Sequence, residues 1–407
     1  METLFENSYY NQSDFEDLHT LLTSKVDEPL KNYLKSINGK ITSNGYCGAF
    51  SVKEGDTYRI LPKIDKDEDN DQMYLIFMLL KAYNIKIKNE KFSSSIKNQK
   101  ITLFDLFADL FANELWSELT KGIFKEYITK QDNLKKLKGK WLINHHISKN
   151  FFKEKIYCEY DEFTENNPLN QLFMYAGRNI RTELAAVNKK LKKIEYAFDE
   201  VNYNIIDPYL FNYHFHRLNK RFQNSAEMAL ILLKYMVPNF NKSHKKSFIF
   251  LFLMHELFES FIANIVKDLE NELNCRVEIQ KIKITDGSEK KIKPDITLID
   301  KKTGKAKLII DTKYKILNKK PSDADIYQMY SYGMSYDFVD NHRKVLLLYP
   351  KEINSEVDTG EFKIKGTSKD SEVNIFSEKI NLTIEKFEFI TFDNYINELK
   401  NVIVKLF

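Results

Sequence analysis

Lys293-Pro294-Asp295-Ile296-Thr297-Leu298-Ile299-Asp300, followed shortly by Leu308-Ile309-Ile310-Asp311-Thr312-Lys313-Tyr314-Lys315, is the most informative stretch of this 407-residue chain. Pro294 fixes the lead-in to a strand, Thr303-Gly304 supplies a turn, and Leu308-Ile309-Ile310 makes a buried return strand. Residues i and i+2 of a strand share a face, so Asp311 and Lys313 are expected on one side and Thr312 on the other. A hairpin here brings Asp295 beside Asp311, two carboxylates next to one ammonium. Such acids repel each other unless a cation lies between them. Mg²⁺ suits the arrangement, because this hard ion takes one or two carboxylates, keeps several waters and shares oxygens with a substrate phosphate. Lys313 is then placed to orient or deprotonate an attacking water and to stabilise the transition state. An acid-x-base triplet alone carries little weight, since this composition yields about nine by chance. The Pro-Asp at hairpin distance and the buried strand are what give the pattern meaning.

Two flanking segments extend the constellation. Upstream, Glu259 sits beside an apolar stripe of Leu257, Phe258, Phe261, Ile262 and Ile265, so its carboxylate is able to reach inward and join a metal's shell. Read alone, it is a solvated glutamate at the edge of that face. Downstream, Gln328 and Tyr332 lie one helical turn apart, where they contact a phosphate or brace the lysine. An aromatic run such as Tyr327-Gln328-Met329-Tyr330-Ser331-Tyr332 is otherwise more often core.

Charge is concentrated in the same region. The whole chain carries a formal charge of only +4, yet Lys281 to Lys320 holds thirteen lysines against five acids, a local balance of +8. That is the footprint of a polyanion site or, more blandly, of a lysine-coated hairpin. Lys315 within it, and Tyr332 downstream, are expected to contact such a polyanion, DNA being one. Glycine and proline are scarce, at 12 and 8 residues, which excludes collagenous and linker-like chains. The three cysteines are widely separated and form no C-x-x-C pair, which argues against zinc ribbons and disulfide frameworks and predicts a reducing, cytoplasmic setting. The first residues are acidic where a signal peptide is basic, and the longest apolar run, Phe248 to Met254, is too short for a bilayer. His255-Glu256 opens like a zinc-protease H-E-x-x-H, but position 259 is glutamate, so the second ligand is missing. His145-His146 and His214-Phe215-His216 lack companion ligands at zinc-site spacing, and no G-x-S-x-G elbow occurs.

Along the chain, Ala49 to Val52 and Tyr58 to Leu61 read as a hairpin about Glu54-Gly55-Asp56. Helices are predicted from Gln72 to Tyr83 and after Thr102, with a polar loop from Asn89 to Lys100 between them. Trp141-Leu142-Ile143 and Lys155 to Cys158 look like strands. Pro168 then breaks the chain before one long lysine-rich helix, Leu169 to about Ile194, whose Lys189, Lys190, Lys192 and Lys193 either track phosphates or form a solvated face. Further helices are predicted from Asn224 to Pro238, from about Ser247 to Leu273, near Asp325 to Tyr336 and from Asp393. Strands are predicted at Arg276 to Ile284, Ile296 to Ile299, Lys307 to Asp311 and Val345 to Tyr349.

Together, Glu259, Pro294-Asp295, Asp311-x-Lys313 and Gln328-x-x-x-Tyr332 resemble the PD-(D/E)xK nuclease superfamily in its RecB-like form. Ile60-Leu61-Pro62-Lys63-Ile64, Leu137-Lys138-Gly139-Lys140, Tyr160-Asp161-Glu162, Asn167-Pro168-Leu169-Asn170 and Leu257-Phe258-Glu259 extend the likeness upstream. With them the chain resembles the McrC-like subunits of McrBC-type restriction systems, 5-methylcytosine-specific or LlaJI-like. The resemblance implies an α+β protein. Residues 1–168 would form a mixed β/helical domain that docks on and stimulates a hexameric McrB-like AAA+ GTPase, and 169–407 an α/β PD-(D/E)xK domain with a helical lead-in. It implies a Mg²⁺-dependent endonuclease, Mn²⁺ being a substitute, that cuts double-stranded foreign DNA, methylated or not. Asp295, Asp311 and Glu259 would hold the metal, Lys313 would act on the water, and Gln328 would position phosphate or lysine. GTP would enter only through the partner, since no G-x-x-x-x-G-K-[ST] occurs here. Two other readings are a non-catalytic adaptor that activates a ring NTPase and a free-standing RecB-like nuclease. An idle site has no physical reason to keep mutually repelling carboxylates, which speaks against the adaptor.

Overall fold

The apolar runs about Leu298 and Ile309 become neighbouring antiparallel strands, Ile296–Asp300 and Ala306–Thr312, in the computed structural model of the chain. The structure describes residues 2–23, 29–53, 56–65, 73–86, 101–150, 154–235, 248–284, 291–317, 320–339, 342–351, 360–364, 372–383 and 391–406. The expected loop from Asn89 to Lys100 lies outside them.

The two strands belong to a six-stranded mixed sheet. Its order is Cys275–Ile279, Ile296–Asp300, Ala306–Thr312, Arg343–Lys351, Val373–Asn381 and Gly360–Ile364. Pairing is antiparallel on the Cys275–Ile279 side and parallel from Ala306–Thr312 through Val373–Asn381. Parallel neighbours need a crossover, and the helix Asp323–Ser335 supplies it between Ala306–Thr312 and Arg343–Lys351. Ser322 caps that helix by accepting the Asp325 amide, and Asp323 and Asp325 complement the positive end of its dipole. Ile309, Val345, Leu347, Met329 and Val373 form one core between helix and sheet. Gly333 sets the approach: a Cβ there would stand 2.5 Å from Val373 Cγ1.

A second sheet carries the predicted hairpin. Its order is Glu2–Phe5, Asp56–Leu61, Tyr46–Lys53 and Phe248–Leu253. The helix expected from Ser247 to Leu273 is therefore wrong at its start. Phe248–Leu253 is a strand antiparallel to Tyr46–Lys53, and the helix runs only from Met254 to Asp268. Six consecutive apolar residues carry no helical period, and with both faces covered they fit a buried strand. Phe104 stacks on Phe248 with ring centroids 4.5 Å apart. The predicted helix from Gln72 is present as Met73–Ala82, and it packs on Met254–Asp268. Lys81 and Lys400 both pair with Asp268, tying Phe392–Leu406 to the same helix.

The chain divides into two compact units, and the cut is not at residue 168. One unit comprises 1–90, 96–104 and 237–407; the other comprises 91–95 and 105–236. The N-terminal hairpin thus folds with the six-stranded sheet, because Phe248–Leu253 pairs with it from nearly two hundred positions away. In the other unit, Glu126–Leu134, Ile156–Thr164 and Lys140–Trp141 form a three-stranded sheet with Ile156–Thr164 in the centre. Gly139 makes the turn at φ +68°, and a Cβ there would stand 2.3 Å from the Glu159 carbonyl oxygen. Ile143, expected in a strand, instead begins the helix Ile143–Lys149. The long helix expected after Pro168 is two, Pro168–Asn179 and Ala185–Ala197. They fold back on each other where Gly177 lets the second helix approach closely. Lys190 on that second helix is bound to Asp109 and Asn113, each at 2.7 Å, so this lysine belongs to the fold of its own unit.

Candidate active site

The strand Ala306–Thr312 ends where the chemistry begins. Ile296 faces Ile310 in the antiparallel ladder, so Asp295 enters next to the end that carries Asp311. Asp295 is half-buried, and its Oδ2 accepts both the Thr312 amide at 2.7 Å and the Thr312 hydroxyl at 2.8 Å. Strict alternation predicts Thr312 facing away from the acids. It does not, because Thr312 is the last strand residue and Asp295 precedes its own strand, so the carboxylate curls over the ladder's end.

Asp311 is buried, with 2 % of its surface exposed. Lys313 Nζ pairs with Asp311 Oδ2 at 2.6 Å. Burial first, and then the Asp295 carboxylate, push Asp311 up to about 6 against the opposing pull of Lys313. The ammonium of Lys313 also donates to Gln328 Oε1 at 3.0 Å. Gln328 Nε2 donates to the Tyr332 hydroxyl at 2.8 Å, and that hydroxyl donates to the Lys293 carbonyl at 3.3 Å. Burial pushes the Tyr332 hydroxyl up to about 12, with Asp311 adding to the effect. Tyr332, expected at the DNA, is thus a buried end of the chain that holds Lys313. Lys315, also expected at the DNA, is half-exposed and forms an ion pair with Asp325.

Glu259 lies on the helix Met254–Asp268, and the stripe beside it (Leu257, Phe258, Phe261, Ile262, Ile265) is buried as expected. Its carboxylate is taken by Gln280 Nε2. Gln280 turns at φ +48° directly after the strand Cys275–Ile279, and its amide donates to the Asp295 carbonyl at 2.8 Å. Burial raises the Glu259 pKa above the usual carboxylate value, and Asp295 adds to that rise.

These groups line one open cleft of about 380 Å³. Asp295, Asp311, Lys313, Gln328, Glu259, Lys315 and Tyr332 are all on its walls. So are His255, Lys293 and Thr312, which sequence reasoning left out. His255 precedes Glu259 by one helical turn, a spacing that would have found it once Glu259 was placed at the cleft. Gln280 had no signal, because its role depends on a left-handed turn. Among the described residues, no three His, Cys, Asp or Glu side chains form a ready-made metal cluster. Glu259 lines the same cleft as the aspartates, and Asp295 lies near enough to raise its pKa. The aspartate pair itself fits a hard divalent cation: Asp311 offers a buried carboxylate next to a second carboxylate that raises the cost of its charge.

The chain matches the family model described as McrBC 5-methylcytosine restriction system component over residues 41–350, about three quarters of its length. Among solved structures it is similar to a chain of the refined half-complex from a tetradecameric assembly of Thermococcus gammatolerans McrB AAA+ hexamers with bound McrC. The TM-score is 0.65 at 24% identity, covering 99% of this chain and 100% of that one, and it shows a shared fold. Among curated proteins, the NADH-ubiquinone oxidoreductase 75 kDa subunits of Dictyostelium citrinum and Dictyostelium discoideum are each 27% identical over 177 residues. That is 37% of this chain and 24% of theirs, so the chain spans about a quarter of the length of these relatives. No helix among the described residues is long and apolar enough to cross a membrane.

Proposed function

Because the chain belongs to the McrBC 5-methylcytosine restriction system component family, we propose that it is the cleavage subunit of such a system, a Mg²⁺-dependent endonuclease acting on double-stranded DNA. The observation that carries this reading is the cleft itself: Asp295, Asp311 and Lys313 converge at the end of a buried hairpin, with Gln328 on the lysine. Phosphodiester hydrolysis needs charge neutralisation at the phosphate, an activated water and a group that stabilises the transition state.

Asp295 and Asp311 would hold the cation. When bound, Mg²⁺ (or Mn²⁺) lowers the pKa of a coordinated water and neutralises charge on the scissile phosphate. The chain's own residues do the rest. Lys313 orients the attacking water, and its ammonium faces the charge that develops on the phosphate oxygens. Gln328, fixed by Tyr332, holds that ammonium from the side opposite the strand, beside Asp311. Thr312 holds one Asp295 oxygen and leaves the other available. Glu259 and His255, at the cleft's other wall, and the half-exposed Lys315 are placed to meet the DNA backbone or hydrated metal.

In the archaeal assembly, McrC is bound to McrB AAA+ hexamers. We assign this chain the corresponding place on an McrB-like GTPase hexamer, so that GTP acts only through the partner. The expected docking region is residues 1–168. Of that region, 105–168 folds apart from the cleft, in the other compact unit, and is the part we assign to the motor.

The test is cleavage of plasmid DNA by purified protein with the partner, Mg²⁺ and GTP. Wild type should cut, whereas Asp311→Ala and Lys313→Ala should not, though both still bind the partner. Cutting by either variant would end the assignment. Cutting without any partner would favour a free-standing nuclease.

A further inference from the structure

Lys63 closes the turn of the Ile60-Leu61-Pro62-Lys63-Ile64 segment, 251 positions from the residue that its side chain holds. Its Nζ donates to the Tyr314 carbonyl at 2.9 Å and lies 4.5 Å from the centre of the Tyr314 ring. Tyr314 is the residue between Lys313 and Lys315. At this point the backbone has left the sheet: the strand ends at Thr312, and the Lys313 amide makes the last ladder-like bond, to the Leu348 carbonyl at 2.9 Å. Among the described contacts, the Tyr314 carbonyl is anchored by Lys63 and by no backbone amide.

Lys63 is itself held. The carboxylate of Glu6 is 3 % exposed, accepts the Lys63 amide at 3.1 Å and pairs with Lys63 Nζ at 3.4 Å. Cys47 donates a 3.7 Å Sγ contact to the same carboxylate. A buried carboxylate is costly unless it is paired, so this one restricts where the ammonium can go. Tyr314 also meets the other wall of the cleft, since its ring lies 5.8 Å from that of Phe258, the neighbour of Glu259.

We propose that Lys63, backed by Glu6, is a positioning residue for Lys313: an ion pair between the half-buried Lys63 and the buried Glu6 clamps the backbone that presents the active-site lysine. Its effect on cleavage rests on the nuclease reading above; the clamp itself does not. Without it, the Tyr314 carbonyl loses this long-range anchor, and the Lys313 ammonium samples positions away from Asp311 and Gln328.

The test uses the full-length protein and two readouts. In the first, lysines are labelled by reductive methylation, and the rate at Lys313 is read by mass spectrometry against that of Lys301. Lys63→Met should raise labelling of Lys313 about threefold or more with Lys301 unchanged, and Lys63→Arg, which can still donate and pair, should restore the wild-type rate. In the second, single-turnover cleavage with partner, Mg²⁺ and GTP should fall about tenfold in Lys63→Met at unchanged DNA affinity, and recover in Lys63→Arg. Unchanged Lys313 labelling in folded Lys63→Met, or an equal rise at every lysine, overturns the proposal. Should Lys63→Met not fold, Glu6→Gln takes its place, with a Lys313-selective rise of about twofold expected and its absence overturning the clamp. A wild-type protein that does not cut DNA defeats the nuclease reading, and the labelling result then decides the clamp alone.

Discussion

Lys313 Nζ is 2.6 Å from Asp311 Oδ2 and donates to Gln328 Oε1 at 3.0 Å. The ammonium is therefore held between a buried carboxylate on the strand and an amide on the helix Asp323–Ser335. Two short contacts from different elements fix its position before any substrate arrives.

Removing the amide should free the ammonium on one side. Gln328→Leu keeps the helix and much of the volume but deletes the acceptor and the donor to Tyr332. Single-turnover cleavage should drop about tenfold with DNA affinity unchanged. A rate within twofold of wild type would show that Gln328 does not direct the lysine.

The buried acid predicts a pH dependence of stability. With Asp311 raised to about 6 from an ordinary 3.8, the folded protein binds its proton more tightly than the unfolded chain. The stabilisation is complete below about pH 4 and is lost as pH rises through about 6. Asp311→Asn has no such proton to lose. In metal-free buffer its unfolding free energy should gain on wild type as pH rises from 4 to 7, by an amount on the order of 1 kcal/mol or more, read as a rising Tm difference, while cleavage is abolished. A Tm difference that is flat over this range would contradict the buried position of Asp311.

Mg²⁺ should reverse that penalty. Added to wild type at pH 7.5, it should raise Tm in a saturable way, because a ligand that binds only the folded state stabilises it. The rise should vanish in Asp311→Asn and weaken in Thr312→Val, which loses the hydroxyl that holds Asp295. An equal rise in all three proteins would place the ion elsewhere.

Gly333 governs how closely the helix Asp323–Ser335 meets the sheet. Val373 is β-branched and fully buried, so it has no room to yield to a new methyl group. Gly333→Ala should cost about 1–3 kcal/mol in urea denaturation. It should also slow cleavage, since the same helix carries Gln328 and Tyr332. Wild-type stability would mean that the helix can shift without penalty.

In the other compact unit, Asn170 is fully buried and its Nδ2 donates to the Phe124 carbonyl at 2.8 Å and the Glu165 carbonyl at 2.7 Å. Asn170→Ala leaves both carbonyls without that donor and should destabilise this unit by about 1–3 kcal/mol. Stimulation of the partner's GTPase, read at rising temperature, should fail earlier than in wild type. Equal heat tolerance would argue against a docking role for this unit.

Much of the candidate site is legible in the residues themselves. Pro294-Asp295 at hairpin distance from Asp311-x-Lys313 follows from turn chemistry and strand period, and Gln328 with Tyr332 from helical spacing. The roles within the cleft are less so. Tyr332 reads equally well as a phosphate contact or as the end of a hydrogen-bond chain, because only its buried hydroxyl and the Lys293 carbonyl decide between them. The hold on Glu259 is not legible either, because Gln280, which binds one of its oxygens, does so from a left-handed turn.

Patterns with a local period can be read from residue order: the antiparallel pair about Leu298 and Ile309, the capped helix after Ser322, and the acids and lysine they carry. Pairing between distant segments cannot. Phe248–Leu253 is a strand because Tyr46–Lys53 waits beside it, and that contact folds the N-terminal hairpin into the unit of the cleft and makes any single cut near residue 168 false. Backbone propensity acts over a few residues, whereas burial depends on whatever surface the rest of the chain brings, and for a short apolar run burial outweighs propensity.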